Sequence, residues 1–264
     1  MNTIKIGFLG FGKMATSILK GILSKGLYHP EEIAFYAPSK ASQEKGLSLG
    51  LNLANDEREL FLRSPILILA LKPQKYDEIF QKLKGLSFEG KTIISLAPGK
   101  SISQLKEKLP KAKIARAMPN TPALIQKAMT TLSFEEEPIP EVGEIFSSIG
   151  DTLIVEEKMI EETIPIQGSL PAYLFYFAKG FLEKAKEHGI KEEEAKKLLF
   201  HSIIGSSYLA LETNEDIDTL IENVCSKGGS TIEGLNQLKE KGFLEAVEAC
   251  YDACVKRSKE LSKA

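Results

Sequence analysis

The chain has no tryptophan, only three cysteines and three histidines, and no marked excess of either charge. Three cysteines are too few for a disulfide framework, and Cys250 and Cys254 have no further ligands nearby, as expected of small apolar residues. With 34 Lys and Arg against 36 Asp and Glu, the net charge is -2. Non-specific nucleic-acid binding needs a surplus of cations, so nucleic acid is not an expected partner.

Long apolar runs are also missing. None of the 264 residues falls within an apolar run of about 18, the length that a membrane span needs. Residues Met1 to Lys5 lead directly into a strand pattern, with no signal peptide. These absences predict a cytoplasmic protein with no membrane partner and no metal site.

Residues 1–157 alternate short apolar runs with helix-like stretches. Ile66 to Leu71 is apolar throughout, which is typical of a parallel strand covered on both faces. Met14 to Leu23 carries an apolar stripe at helical spacing. The alternation predicts an α/β fold with a doubly wound, mainly parallel sheet. The other strand-like runs are Ile4 to Leu9, Ile33 to Tyr36, Thr92 to Leu96, Ile114 to Ala117, Thr130 to Leu132 and Leu153 to Val155.

Residues 158–264 lose the strand signal and become helical in periodicity. Helices are predicted over 170–186, 191–213, 217–224 and 231–262. Ser169 before Pro171 suits a helix start, since serine caps free amides and proline tolerates the first turn. We therefore predict an all-helical second domain over 158–264, apolar enough to need a partner subunit.

Gly10-Phe11-Gly12-Lys13-Met14-Ala15 fits the G-x-G-x-x-A pattern and lies between the first strand and the first helix. The first glycine allows a tight turn, and the second lets a pyrophosphate approach the backbone. The helix start supplies free amides and a positive dipole end. This context predicts a Rossmann dinucleotide-binding domain over 1–157, with Gly10, Phe11, Gly12, Lys13 and Met14 in the cofactor site.

The end of the second strand bears on which dinucleotide binds. An NAD site usually places a carboxylate there for the ribose hydroxyls, but this chain reads Tyr36-Ala37-Pro38-Ser39-Lys40. A hydroxyl and a cation suit a 2′-phosphate, so Ser39 and Lys40 favour NADPH, with NADH as the alternative. Lys40 as a solvated residue at a helix start is the competing interpretation.

Two further strands are predicted to end at the same edge of the sheet, where the carboxyl ends of the parallel strands lie; we call this the ligand edge. Ala70-Leu71-Lys72-Pro73 and Met118-Pro119-Asn120 each follow a buried strand, and open α/β sheets bind ligands outside these carboxyl ends. Ordinary turns between strand and helix are the alternative interpretation.

A second glycine loop lies in the helical half. Gly228-Gly229 is flanked by Ser226, Ser230 and Thr231 directly before a helix. These amides and hydroxyls suit a small carboxylate. A helix cap with a glycine turn is an equally open interpretation of the residues alone.

Five segments, in this order along the chain, resemble the pyrroline-5-carboxylate reductase family. They are Gly7-Phe8-Leu9-Gly10-Phe11-Gly12-Lys13-Met14-Ala15, Ala70-Leu71-Lys72-Pro73-Gln74, Met118-Pro119-Asn120-Thr121-Pro122, Gly168-Ser169-Leu170-Pro171-Ala172-Tyr173 and Val224-Cys225-Ser226-Lys227-Gly228-Gly229-Ser230-Thr231. The chain departs from the family pattern at Pro98, Leu170, Lys227 and Ser230, and between Asn55 and Lys72 it is about two residues longer.

The resemblance implies reduction of the cyclic imine 1-pyrroline-5-carboxylate to L-proline by hydride from NADPH or NADH. It implies a homodimer built through the helical domain, and a higher oligomer such as a decamer.

The resemblance also assigns roles. Thr231 is expected to be the catalytic residue, through a hydrogen bond to the ring nitrogen. The expected substrate contacts are Ser226, Gly228, Gly229, Ser230, Thr231, Met118 and Asn120. Asn55, Ala70, Leu71, Lys72 and Pro73 complete the expected cofactor contacts.

Two other functions stay open at this point. A related imine or β-hydroxyacid reductase would share both domains, but a β-hydroxyacid enzyme needs a catalytic lysine in a helix, and Lys179 and Lys184 lie in no convincing motif. A non-catalytic dinucleotide-binding paralogue would need no second glycine loop. The three histidines lie outside the matched segments, which argues against a histidine general acid.

Replacing Lys40 by glutamate tests the 2′-phosphate assignment. A carboxylate at this position would repel the phosphate, so the ratio of kcat/KM with NADPH to kcat/KM with NADH should fall. Steady-state kinetics with both cofactors measure this ratio, and an unchanged ratio would discard the assignment.

Overall fold

A single eight-stranded sheet forms the N-terminal part of the computed structural model, which describes residues 3–263. The strand order is β3-β2-β1-β4-β5-β6-β7-β8. All neighbours are parallel except β6 and β7, which are antiparallel. The strands are β1 Ile6–Leu9, β2 Ile33–Tyr36, β3 Asn52–Leu53, β4 Ile66–Leu69, β5 Thr92–Ser95, β6 Lys113–Pro119, β7 Ala128–Phe134 and β8 Gly150–Ile154.

The helices connect these strands and then make up the rest of the chain. They are α1 Lys13–Ser24, α2 Lys40–Ser48, α3 Glu57–Arg63, α4 Tyr76–Leu83, α5 Ile102–Lys108, α6 Pro140–Ser147, α7 Ile160–Thr163, α8 Leu170–Glu187, α9 Glu192–Glu212, α10 Ile217–Val224, α11 Ser230–Glu240 and α12 Phe243–Lys263. Short 3-10 helices lie at Pro30–Glu32, Pro73–Lys75, Thr121–Ile125 and Glu157–Met159.

The predicted fold class is confirmed. The chain runs outward from β1 through β2 to β3, and then continues from β4 on the other side of β1. This reversal between β1 and β4 is the switch point where open α/β sheets bind ligands. The sequence interpretation missed β3, which is only two residues long.

Each face of the sheet is covered by its own apolar layer. Along β4, Ile68 packs with the cluster that contains α1, whereas Leu67 and Leu69 pack with the opposite cluster. This alternation is that of a strand buried on both faces. The carboxyl ends of the central strands are therefore held by core packing from both sides.

Contacts within the chain group the residues into two units. One comprises residues up to Pro171 together with those from Cys254 onward, and the other is Ala172–Ala253. The domain boundary expected at residue 157 stays a prediction. Among the described residues, no helix combines the length and apolarity required for a membrane crossing.

The second unit leaves many apolar side chains exposed. Phe177 contacts Phe181 and Phe243, with ring centroids 5.0 and 6.2 Å apart. Tyr176 and Leu211, in contrast, are 79% and 81% exposed. The stretch predicted to be helical over 231–262 consists of two helices, because α11 ends at Glu240 and α12 begins at Phe243. Gly242 takes a left-handed φ of +67° there, the backbone that commonly ends a helix.

A buried arginine joins distant parts of the first unit. Arg116 on β6 is 2% exposed, and its guanidinium lies 3.0 Å from Glu157 Oε1 and 2.9 Å from Glu161 Oε1. Ser262 Oγ, in the last turn of α12, donates to Glu161 Oε1 at 3.0 Å. The Ile102 N–H at the start of α5 donates to Glu157 Oε1 at 2.6 Å.

Close packing accompanies this network. Gly99, in the loop between β5 and α5, has a φ of +78°, and a Cβ there would lie 2.7 Å from the Leu261 carbonyl oxygen. The last turn of α12 therefore lies directly on the β5–α5 loop. Only glycine fits both the backbone conformation and the space.

Replacing Arg116 by alanine should lower the free energy of unfolding by about 3–5 kcal/mol, because the buried Glu161 would lose its cationic partner and the half-buried Glu157 would lose a charge-assisted hydrogen bond. Denaturant unfolding of the purified protein measures this. As a control, Arg257→Ala removes only an exposed ion pair with Glu260 and should cost less than about 1 kcal/mol. Equal losses in the two variants would contradict the assignment.

Candidate functional site

The glycine loop lies at the switch point of the sheet. Gly10 follows β1 with a φ of +92°, and a Cβ there would lie 2.6 Å from the Ala70 carbonyl oxygen and 2.8 Å from Leu71 Cδ2. Its N–H donates to the Tyr36 carbonyl at 2.9 Å. Gly10 thus brings the ends of β1, β2 and β4 together at one point.

Gly12 leaves room for a ligand. It caps α1 with extended backbone and no capping side chain, and a Cβ there would meet no heavy atom within 4 Å. The first helical bond runs from the Thr16 N–H to the Gly12 carbonyl at 3.0 Å, so the amides of the first turn have no helical acceptor. This open set of donors fits the pyrophosphate of a dinucleotide.

The two side chains next to these glycines differ in their surroundings. Phe11 is buried, and its ring centroid lies 4.8 Å from that of Phe35 and 6.4 Å from that of Phe8. It can therefore meet a ligand only through its backbone. Lys13 is exposed and Met14 half-buried, so both side chains are accessible beside the loop.

Ser39 and Lys40 lie at the start of α2. The Ser39 hydroxyl accepts from the Ser42 N–H at 3.3 Å and donates to Ser42 Oγ at 2.9 Å, so it already caps the helix. Lys40 is exposed. Sequence reasoning missed Lys45, whose ammonium donates to Thr16 Oγ1 on α1 at 3.1 Å. Lys45 lies five residues after Lys40 on α2, a spacing that does not put the two side chains on one helix face, so no signal for it was present in the sequence.

Asn55 lies at the carboxyl end of β3, two strands from β1. Its N–H and its Nδ2 both donate to Glu59 Oε2, at 2.8 and 2.6 Å. The backbone bond from Asn55 is the main reason that the pKa of Glu59 lies below its ordinary value. Both the backbone and the side-chain amide of Asn55 are thus bound to Glu59, and a cofactor role of Asn55 stays a prediction.

Ala70 and Leu71 adjoin the glycine loop directly. The Ala70 N–H donates to the Leu9 carbonyl at 2.9 Å. Lys72 is exposed and precedes the 3-10 helix that begins at Pro73. Ala70 and Leu71 therefore adjoin the glycine loop, and a cofactor contact by Ala70, Leu71, Lys72 or Pro73 stays a prediction.

Tyr76 ties the next two strand ends together. Its hydroxyl donates to the Leu69 carbonyl at 3.1 Å and lies 3.0 Å from Ser95 Oγ. Burial raises its pKa above the ordinary value, so the phenol stays neutral across the physiological range. It is a structural support of the ligand edge.

Met118 lies in the last residues of β6, and Asn120 directly follows the strand at the same edge. Asn120 is buried, its Nδ2 donates to the Gln167 carbonyl at 3.0 Å, and its Oδ1 accepts from the Met129 N–H at 3.0 Å. The 3-10 helix Thr121–Ile125 then packs against α1. Sequence reasoning missed Gln167, which belongs to this cluster.

The second glycine loop lies in the unit Ala172–Ala253. Gly228 has a φ of +73°, and a Cβ at Gly229 would lie 2.5 Å from Ser226 Oγ. The Gly229 N–H donates to the Ser226 carbonyl at 3.0 Å, so this amide is engaged within the loop. Ser230 and Thr231, both exposed, open α11 and present the remaining amides and hydroxyls.

The chemistry that these residues support is anion binding and positioning. Neither loop contains a carboxylate or a histidine. Within residues 3–263, no three His, Cys, Asp or Glu side chains are grouped as a metal site would require.

Comparison with known proteins assigns the family. Residues 157–261 match the family model described as pyrroline-5-carboxylate reductase dimerisation, and residues 5–99 match NADP oxidoreductase coenzyme F420-dependent. The pyrroline-5-carboxylate reductase of Escherichia coli (strain K12) is 34% identical over 268 residues, which cover 98% of each chain. The chain belongs to the pyrroline-5-carboxylate reductase family.

Solved structures of this family have the same fold as this chain. The pyrroline-5-carboxylate reductase of Coxiella burnetii is 30% identical with a TM-score of 0.87, and the match covers 100% of both chains. The Plasmodium falciparum pyrroline carboxylate reductase, solved with NADP bound, is 27% identical with a TM-score of 0.88 over 99% of both chains. The resemblance seen in the sequence is confirmed.

The two glycines of the cofactor loop should respond differently to alanine. Gly12→Ala should keep the wild-type melting temperature, since its Cβ enters open space, yet weaken NADPH binding about tenfold or more by blocking the approach of the pyrophosphate. Gly10→Ala should lower the melting temperature, because of its positive φ and its contact with Ala70. Thermal melts and fluorescence titration measure both. Wild-type NADPH affinity in Gly12→Ala would rule out the proposed approach.

Proposed function

We propose that this chain reduces 1-pyrroline-5-carboxylate to L-proline, the last step of proline biosynthesis, with a nicotinamide cofactor. The observation that carries the proposal is similarity over the whole chain to enzymes of this name. It is supported by the presence of both expected anion-binding loops, one for a dinucleotide and one for a carboxylate.

The glycine loop fits the cofactor. Amides from Phe11 to Met14 would hold the pyrophosphate, with Gly10 shaping the turn through its own bond to the Tyr36 carbonyl, and Ala70 to Pro73 would line the next strand end. Ser39 and Lys40 favour NADPH over NADH, although the Ser39 hydroxyl would have to bind the 2′-phosphate in addition to capping α2. When bound, NADPH supplies the hydride that reduces the C=N bond.

The second loop would hold the imine. The amides of Gly228, Ser230 and Thr231 and the hydroxyls of Ser226 and Ser230 suit its carboxylate. The exposed Thr231 hydroxyl would donate to the ring nitrogen as the amine forms, with the proton drawn from solvent or from an already protonated imine. These groups do no covalent chemistry, so their contribution is to bind and orient.

The working unit is an oligomer in this proposal. The apolar side chains that the unit Ala172–Ala253 leaves exposed suit a homodimer, and the matched dimerisation model covers this region. A larger assembly such as a decamer stays a proposal. All three cysteines are free, which supports a reducing, cytoplasmic location.

No observation favours the β-hydroxyacid reductase alternative. Lys179 and Lys184 are exposed and lie 3.6 and 2.5 Å from Glu183 and Glu187 on their own helix. Both lysines are thus solvated members of surface ion pairs.

The direct test follows the loss of NADPH absorbance with 1-pyrroline-5-carboxylate and confirms L-proline as the product. NADPH binding without turnover would instead identify a non-catalytic dinucleotide-binding protein. Turnover of other imines but not of this one would move the chain to a related reductase activity.

In the same assay, Thr231→Ala should lower kcat about ten- to a hundredfold, because a hydrogen bond to a group gaining charge is worth about 1.5–3 kcal/mol. NADPH affinity should stay unchanged. Thr231→Ser, the matched control, keeps the hydroxyl and should retain most of the rate. A wild-type kcat in Thr231→Ala would remove this residue from the mechanism.

A further inference from the structure

The side-chain amides of Gln167 and Asn120 lie together at the carboxyl end of β6. Gln167 is 5% exposed, and its Nε2 donates to the Met129 carbonyl at 2.6 Å and to the Met118 carbonyl. Asn120 accepts from the Met129 N–H and donates to the Gln167 carbonyl, both at 3.0 Å. The pair therefore holds Met129 through both its N–H and its carbonyl, and holds Met118 through its carbonyl.

The orientation of the Gln167 amide is fixed by its donors. Reversing the amide would place Oε1 against two carbonyl oxygens, which cannot donate to it. As oriented, Oε1 is buried and has no hydrogen-bond partner among the described residues. An unpaired buried acceptor is unfavourable, so the side chain is tolerated here because its NH₂ group makes two bonds.

This cluster includes two of the residues that the family resemblance expects to contact the imine. Met118 and Asn120 are expected substrate contacts at the ligand edge of the sheet, and the turn that follows them packs against α1, the helix of the cofactor loop. Gln167 directly precedes Gly168 and Ser169, which lead into α8. The two amides thus connect the β6 end to the segment that begins the helical region.

We propose that Gln167 is a positioning residue for imine reduction. It holds the Met118 carbonyl and the Met118–Asn120 loop in the arrangement that binds the imine, and Asn120 contributes to the same arrangement through Met129. The inference rests on the proposed function and adds a residue that acts through others instead of touching the substrate.

The test replaces Gln167 by glutamate and compares it with Gln81→Glu, at an exposed position on α4. An ionised carboxylate at 167 faces two carbonyls and donates nothing, whereas a protonated one restores one donor. Burial and neighbouring acceptors raise the pKa of such a carboxyl, so the defect should be largest at high pH and should shrink as the pH falls.

Measured against wild type at the same pH, Gln167→Glu should raise the KM for the imine about tenfold at pH 8, as expected for lost hydrogen bonds. The ratio should recover towards one at pH 6. The Kd of NADPH, from fluorescence titration, should stay within about twofold of wild type, since the glycine loop is intact. Gln81→Glu should show neither change.

Partial unfolding would give a different pattern, because a smaller folded fraction lowers apparent kcat and leaves KM unchanged. Gln167→Met provides a second variant of similar length without a charge. It should raise the imine KM with no recovery at low pH, since it has no proton to gain.

The outcomes separate the two proposals. Wild-type protein that fails to reduce the imine overturns the proposed function and the inference together. Active wild type with unchanged imine KM in both Gln167 variants overturns the inference alone. Loss of folding in both variants, at pH 6 and pH 8, also overturns it, because Gln167 would then support the fold and not the site.

Discussion

The burial of one positive charge organises the first unit. Arg116 enters the sheet on β6, where water cannot solvate its guanidinium, so carboxylates must approach it from other elements. Glu157 and Glu161 supply them, and these two residues in turn accept from the start of α5 and from the last turn of α12. The result is a chain of charge-assisted bonds that fixes four segments around one side chain.

At the ligand edge, the ends of β1, β4, β5 and β6 are held by uncharged groups that differ from strand to strand. Gly10 allows β1 to pass against Ala70, the Tyr76 phenol joins β4 to β5, and the Gln167 and Asn120 amides secure β6. None of these groups places a formal charge at the edge. These supports leave the backbone amides at the edge to bind anionic ligands and add no acid–base group themselves.

Features that leave a pattern among neighbouring residues could be predicted from the sequence. The glycine loop, the central strands and, to within about one residue, the bounds of α1, α8, α9 and α10 follow from local spacing. Strand β3 was not predicted because two residues are too few to show alternation. The break before α12 was not predicted because apolar periodicity continues across Gly242.

The hydrogen bonds of Gln167 and Arg116 were not predicted from the sequence, for a different reason. Gln167 lies 49 and 38 residues from the carbonyls it contacts, and Arg116 lies 41 and 45 residues from its carboxylates. Pairings of this kind arise from topology and leave no periodic trace in one sequence. Ser39 shows a further limit, because the same hydroxyl suits both a helix cap and a phosphate, and the sequence does not distinguish the two.

The bond between Ser262 and Glu161 has a consequence for how the chain is made. Its two residues are 101 positions apart in sequence, and long-range contacts form late because a long loop must first close. On the ribosome, the sheet is synthesised well before the turn that covers Gly99 and completes the environment of Glu161. The first unit therefore reaches its final form only after the last turn of α12 has emerged, although its own core is assembled from residues made much earlier.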